Sequence, residues 1–370
     1  MLRKFALAFA AAASLQAAAA LAAPAPLLDC PLRDAPFSVD SPLVDILLSP
    51  QARQLVTEAT GRDPGQGPIG MLGTEAPTFA SILTIRAGAA IAGMDLSVLP
   101  ALDAKLRALP VTQADKVARC RRYDDTVPRL SLPKGKGPRL LLFEKINGFR
   151  DVPSVNAARD ALTAMAQRKG WRLVVTDKGG AFNPHTLGQF DAVIWNNISG
   201  DVLTLSQRKA FKDFLQRGGG YVGLHGSAGD PVYFWPWYPD DLIGARFAGH
   251  PMNPQFQEAR VVADKAHPLA RNLPGEWRMT DEWYSFRNNP RAGGARVVLT
   301  LDESTYSRQG RFGEPLDMGA DHPLAWTRCI GKGRMFYSAI GHLPETYTQP
   351  QNAVLLEDAI RWAATRGKCE

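Results

Sequence analysis

The chain has 370 residues, 45% of them apolar, and carries 43 Lys and Arg against 36 Asp and Glu, a formal charge of +7. The excess is scattered among acids, and its only local basic groups, Arg121 with Arg122 and Lys134 with Lys136, are not interleaved with aromatics, which excludes the usual nucleic-acid groove and leaves no nucleic-acid partner expected. A chain of this length exceeds what one hydrophobic core usually carries, so two domains are expected.

In chain order, Arg3 and Lys4 precede an alanine-rich apolar run, and small residues follow at Ala20-Leu21-Ala22. That order predicts a signal peptide over residues 1–22, cleaved after Ala22 or Ala23. Gln16, Pro24 and Pro26 fit processing better than a membrane anchor, which needs roughly twenty uninterrupted apolar residues. Asp29 before Cys30 argues against a lipid anchor there. The expected location is therefore periplasmic or secreted, where the four cysteines can oxidise. Of the possible pairings, Cys30 with Cys120 is preferred because it brackets the N-terminal segment, and Cys329 with Cys369 then pins the tail. No C-x-x-C spacing occurs, so a zinc ribbon or thioredoxin-type site is set aside.

Residues 23–127 show apolar runs at helical spacing (Leu43, Val44, Leu47 and Leu48, then Leu99, Leu102 and Leu106) and read as a helical N-terminal domain. The prolines and glycines of 128–138 have the composition of a linker. From Arg139 the pattern changes. Buried strands are predicted at 139–145, 172–177, 192–197 and 221–226, alternating with helices at 154–169 and 204–218, the second opened by a Thr204/Gln207 capping box. This alternation gives an α/β fold, a doubly wound, mostly parallel sheet, because parallel strands need crossovers that place helices outside. Strands at 297–301, 324–330 and 335–340, with a hairpin at Gly331-Lys332-Gly333, add an antiparallel edge. A helix over 352–366 closes the domain at 139–366.

Two glycine motifs need separate treatment. Gly218 to Gly223 satisfies G-x-G-x-x-G, but it follows a helix and opens a strand, the reverse of a dinucleotide site, and reads as a structural turn. At the far end of that strand, Gly223-Leu224-His225-Gly226-Ser227-Ala228-Gly229 has the setting of a nucleophile elbow. Ser227 has a glycine two positions after it but His225 two positions before it, so half of the serine-hydrolase motif is missing. His225, at the carboxyl end of a strand where ligands bind in open α/β sheets, is the better candidate for chemistry.

The stretches Phe143-Glu-Lys-Ile-Asn-Gly-Phe-Arg150, Gly218 to His225, Trp235-Pro-Trp-Tyr238, Phe247-Ala-Gly-His-Pro251, Asp281-Glu-Trp-Tyr284, Leu301 to Tyr306, Asp321-His-Pro-Leu-Ala-Trp326 and Gly341-His342 resemble, in the same order, the ThuA-like (trehalose-utilisation) family. The resemblance spans residues 139 to about 364. It implies a fold similar to class I glutamine amidotransferases, with His225 where those enzymes carry the elbow cysteine, so thiol acyl chemistry is not expected. It also implies action on trehalose or related glycosides through 3-keto sugar intermediates. The family usually continues Gly-Phe-Arg with histidine; here Asp151 stands in that place and can serve as a carboxylate substitute.

His225, His250, His322 and His342 lie in matched motifs, while His185 and His267 read as loop residues without a task. With Asp281, Glu282 and Asp321 these imidazoles can form a general acid/base set or a divalent metal site, and no H-E-x-x-H occurs, so a metal site would be assembled from distant loops. His225, Glu282, His322 and His342 are expected around one pocket as catalytic residues. Asp151, Trp235, Trp237, His250, Asp281, Tyr284 and Asp321 are expected to bind substrate. Of the aromatics Trp235, Trp237, Tyr238, Trp283, Tyr284 and Trp326, about half are expected merely to cover the sheet end. The leading reading is an enzyme acting on a small-molecule carbohydrate by hydrolysis, elimination or isomerisation. The alternatives are a non-catalytic sugar-binding protein and a metal-dependent hydrolase of a non-sugar substrate.

Overall fold

The computed structural model describes residues 27–66, 72–91, 95–311, 313–367 and 369; the expected signal peptide lies outside them. The N-terminal part contains short helices at Leu43–Leu48, Pro50–Thr60, Ile85–Ile91, Leu99–Arg107 and Gln113–Cys120. Their apolar faces close on one another around Phe37, Val44, Ile46, Leu102 and Leu106, a core cluster of its own. Thr112 and Asp115 form a capping box that starts the last of these helices, and its end is tied back by a disulfide from Cys120 to Cys30, 90 residues away. Replacing Cys120 by serine is expected to lower stability by about 4 kcal/mol, because the unfolded chain regains the entropy of a long open loop. Urea midpoints of the oxidised parent and the variant measure it.

The remaining chain builds strands β1 (Arg139–Phe143), β2 (Arg172–Thr176), β3 (Ala192–Trp195), β4 (Gly220–Leu224), β5 (Phe247–Gly249), β6 (Phe256–Ala263), β7 (Glu276–Glu282), β8 (Ser285–Phe286), β9 (Arg296–Asp302), β10 (Pro323–Ile330) and β11 (Gly333–Ser338). Nine of them form one sheet in the order β2-β1-β3-β4-β11-β10-β9-β6-β7, and β5 pairs with β8. The first five in that order run parallel, and the rest are antiparallel. The fold is thus α/β with a parallel core, and the hairpin at Gly331-Lys332-Gly333 joins β10 to β11. The antiparallel part is four strands wide, because β6 and β7, which carry no continuous apolar run, extend it past β9.

Helices cover both faces of the parallel core. A side chain at Gly220 would strike the Ala363 carbonyl of helix Pro350–Ala363, whereas one at Gly333 would strike the Leu215 carbonyl of helix Leu205–Gln216. Gly220 lies beside Arg334 in register, and successive residues of a strand point to opposite faces, so the two helices sit on opposite sides. Gly218 and Gly219 form the turn from helix into β4, and Gly220 and Gly223 lie within that strand, so the run is structural, as expected. The second disulfide, Cys329 to Cys369, pins the tail to β10. Among the described residues no helix is long and apolar enough to cross a membrane.

Candidate active site

The parallel core brings the carboxyl ends of β4 and β11 side by side, and the end of β7 reaches the same point. β4 stops at Leu224, and His225 follows with φ at 28°, a left-handed conformation that a β-carbon makes costly. Two bonds hold it there. The Tyr337 hydroxyl donates to the His225 carbonyl at 2.8 Å, and His225 Nδ1 donates to the Ala339 carbonyl at 2.7 Å. With Nδ1 committed to that carbonyl, Nε2 presents its lone pair to whatever lies beyond.

What lies beyond is Glu282, the last residue of β7, which is 1% exposed. Its Oε2 stands 3.3 Å from His225 Nε2 and 3.0 Å from His342 Nδ1, and the two ring nitrogens are 3.3 Å apart. Its other oxygen, Oε1, accepts from Gln255 Nε2 and lies 3.2 Å from His250 Nδ1. His342 is placed by its neighbour's neighbour: buried Asp281 accepts the backbone N–H groups of Gly341, His342 and Leu343 at 2.7, 3.1 and 3.0 Å. Tyr284 closes one side, its ring 4.2 Å from that of His225.

Burial disfavours the charged form of Glu282, yet the hydrogen bonds that His225 and His342 donate to it when protonated, with His250 nearby, hold its carboxyl well below the ordinary range. Burial likewise opposes charge on His342, but the Glu282 carboxylate overrides it and raises that imidazole above its usual value. Asp281 moves the other way from Glu282, pushed up by burial despite its backbone donors.

His225 Nε2, Glu282 Oε2 and His342 Nδ1 form a buried triangle with fewer hydrogens than contacts. A divalent cation can stand where the missing hydrogen would. Tetrahedral ligands at about 2.0–2.1 Å from zinc lie about 3.3 Å from one another, close to the sides of this triangle, and the His225 Nδ1 bond and the two partners of Glu282 Oε1 are the outer supports such ligands have. The three residues can therefore hold a metal ion.

His225, His250, Asp281, Glu282, Tyr284 and His342 are thus brought together. Asp151 lies at the edge: it caps helix Val152–Lys169 through Ser154, and its charge reaches His342. His322, expected with the catalytic set, stands apart. It is fully buried, with Nδ1 2.9 Å from Glu303 Oε1 and Nε2 2.8 Å from the Tyr284 carbonyl, so it meets the centre only through the Tyr284 backbone. Asp321 turns outward to Arg291. Trp235 and Trp237 pack on each other and on Phe211, beneath Arg208 and Lys212, away from the triangle. Trp283 and Trp326 are buried. Ser227 spends its hydroxyl on the Trp195 carbonyl and the Ile198 N–H, which leaves no nucleophile at the elbow. Gln255 carried no signal in the sequence beyond being polar.

The buried Glu303–His322 pair fastens the 303–319 loop through the N–H groups of Met318 and Gly319. Glu303→Ala is expected to lower stability by about 3 kcal/mol, since it strands a buried imidazole and two N–H groups. Chemical denaturation checks this, and cation binding at the triangle should survive.

The family model described as ThuA, trehalose utilisation, matches residues 139–363, which include every member of the triangle. A ThuA-like protein from Bacteroides uniformis ATCC 8492 is 26% identical, with 62% of this chain and 94% of that chain covered and a TM-score of 0.53. One from Parabacteroides merdae ATCC 43184 is 21% identical over 62% of this chain and 91% of its own, at a TM-score of 0.48. A glutamine amidotransferase from Thermotoga maritima is 12% identical over 62% of this chain and 99% of its own, at 0.37. No curated protein matches the chain.

Proposed function

Since the chain belongs to the ThuA, trehalose-utilisation, family, we propose that it is a carbohydrate-active enzyme whose reacting centre is His225, Glu282 and His342, and that this centre takes one divalent cation of the zinc class. The observation that carries the reading is a buried carboxylate oxygen set 3.0 and 3.3 Å from two imidazole nitrogens. The substrate class is a trehalose-type or 3-keto glycoside, and the reaction a hydrolysis, elimination or isomerisation. His225 Nε2, His342 Nδ1 and Glu282 Oε2 would hold the ion, which supplies positive charge to polarise a carbonyl or hydroxyl oxygen. His250, half-buried with Nδ1 bonded to the Pro251 carbonyl and 3.2 Å from Glu282 Oε1, is the group that moves a proton at the substrate. Asp151 accepts a substrate hydroxyl. Action outside the cytoplasm is part of this reading, and two disulfides support it.

A second reading, a metal-dependent hydrolase of a non-sugar substrate, is favoured by the donor set alone. One experiment separates them. Purified protein is assayed for bound metal and for turnover of 3-keto-trehalose before and after chelation. One equivalent of ion, and activity lost on chelation and restored by zinc, is expected. Turnover indifferent to chelation removes the metal; a bound ion with no sugar consumed favours the second reading.

A further inference from the structure

Exposed aromatics are uncommon among the described residues, and two of them border the reacting centre. Phe149 is 44% exposed and Phe256 is 38% exposed, and both rings pack against His342, at centroid distances of 6.4 and 5.1 Å. Large apolar faces left in water beside a buried polar cluster mark a place that a ligand covers. Asp151, two residues after Phe149, adds a polar edge: Oδ2 accepts the Ser154 N–H, and Oδ1 has no hydrogen-bond partner among the described residues.

Phe149 is not on a loose loop. Its N–H donates to Ser199 Oγ at 2.9 Å, and the N–H of Gly148 donates to the Ser199 carbonyl at 2.8 Å. From the other side, Thr78 N–H donates to the Asn147 carbonyl at 2.9 Å. Ile82 and Ser199 leave no room for a side chain at Gly148. The Phe79 ring backs that of Phe149 at 5.3 Å. Thr78, Phe79 and Ile82 all precede the matched family segment, so the N-terminal helical part sets where this aromatic wall stands.

Resting on the reading of the site as sugar-active, we propose that Phe149 and Phe256 form a stacking subsite for a pyranosyl ring, with Asp151 taking a hydroxyl, and that residues 78–82 are part of that subsite as the support of Phe149. A pyranose presents an apolar C–H face and a hydroxylated rim, which matches two aromatic faces next to one free carboxylate oxygen. A protein partner would need a far wider apolar area than two rings.

The test is calorimetric titration of trehalose and of methyl α-glucopyranoside into the full chain and its variants, with thermal unfolding as the control for folding. Phe149→Ala and Phe256→Ala are each expected to weaken trehalose binding about tenfold. Phe149→Trp keeps the affinity and Phe149→Leu does not, because a ring face is required rather than bulk. Phe79→Ala weakens binding several-fold without touching sugar. Alanine variants that are folded and bind trehalose like the parent overturn the subsite and leave the sugar-active reading standing. A parent chain that binds neither sugar, and does not bind 3-keto-trehalose in a parallel titration, overturns that reading, and the subsite with it.

Discussion

Glu282→Gln is expected to lower kcat/KM on a 3-keto glycoside by about a thousandfold, the range that removal of an essential acid/base or ligand group produces. Glutamine keeps the shape and removes the charge. Its amide nitrogen would face two imidazole nitrogens across 3.0–3.3 Å, and its oxygen binds a divalent cation far more weakly than a carboxylate does. Cation affinity should therefore fall together with turnover, which a chelator competition reads independently of activity. His250→Ala touches only the far oxygen of Glu282 and should weaken cation binding much less, by about tenfold. A Glu282→Gln chain that retains more than a tenth of the parental kcat/KM would remove the triangle from the mechanism.

The same pair gives the metal-free protein a pH signature with two opposite limbs. Glu282 is held below its ordinary 4.5, so its contribution to stability is present above that value and lost as pH falls through the depressed folded pKa. His342 is raised above 6.5, so its contribution is complete below that value and lost as pH rises through the elevated folded pKa. The pair contributes most between these ordinary values, and Glu282→Gln should flatten both limbs in urea titrations. Added cation should invert the alkaline limb, because it competes with protons for the ligands and binds tighter as pH rises.

The parallel half of the sheet was legible because strands buried on both faces read as unbroken apolar runs, Leu140-Leu141-Leu142-Phe143 and Ala192-Val193-Ile194-Trp195 among them. β6 and β7 were not. One face of each meets solvent and carries Glu258, Arg260, Glu276 and Arg278, all four tied in ion pairs across the sheet, so the period-2 signal is diluted by charge. His225 was legible as a strand-end residue, and Glu282 and His342 through the motifs they sit in, but no periodicity says that the ends of β4, β7 and β11 converge. His322 shows the limit of a location argument. It precedes β10, which pairs with the end of β11, and so lies near the centre in projection while the Tyr284 backbone stands between. Trp235 and Trp237 follow β4 but fold back on Phe211, against whose ring both pack edge-on. Phe149 and Phe256 carried no signal of their own. Each looks like an ordinary core residue in sequence, and only the tertiary arrangement leaves them uncovered beside His342.

Asp281→Ala is expected to cost about 4 kcal/mol and to abolish activity without removing any group that meets substrate. The carboxylate is fully buried and its two oxygens accept three consecutive backbone N–H groups, those of Gly341, His342 and Leu343. Alanine leaves all three donors buried and unpaired, and each such group costs roughly 1–3 kcal/mol unless the segment rearranges to reach water. Rearrangement is the cheaper outcome, and it carries His342 away from Glu282. Asp281→Asn distinguishes the two roles of this residue. An amide oxygen can accept from part of the segment while the amide nitrogen opposes the rest, so Asn should recover some stability but little cation affinity. The expected pattern is a graded loss of stability, parent over Asn over Ala, with cation binding weak in both variants. If Asp281 touched substrate instead of holding the loop, Asn would leave cation affinity at the parental value and raise KM alone, and that result would reassign it.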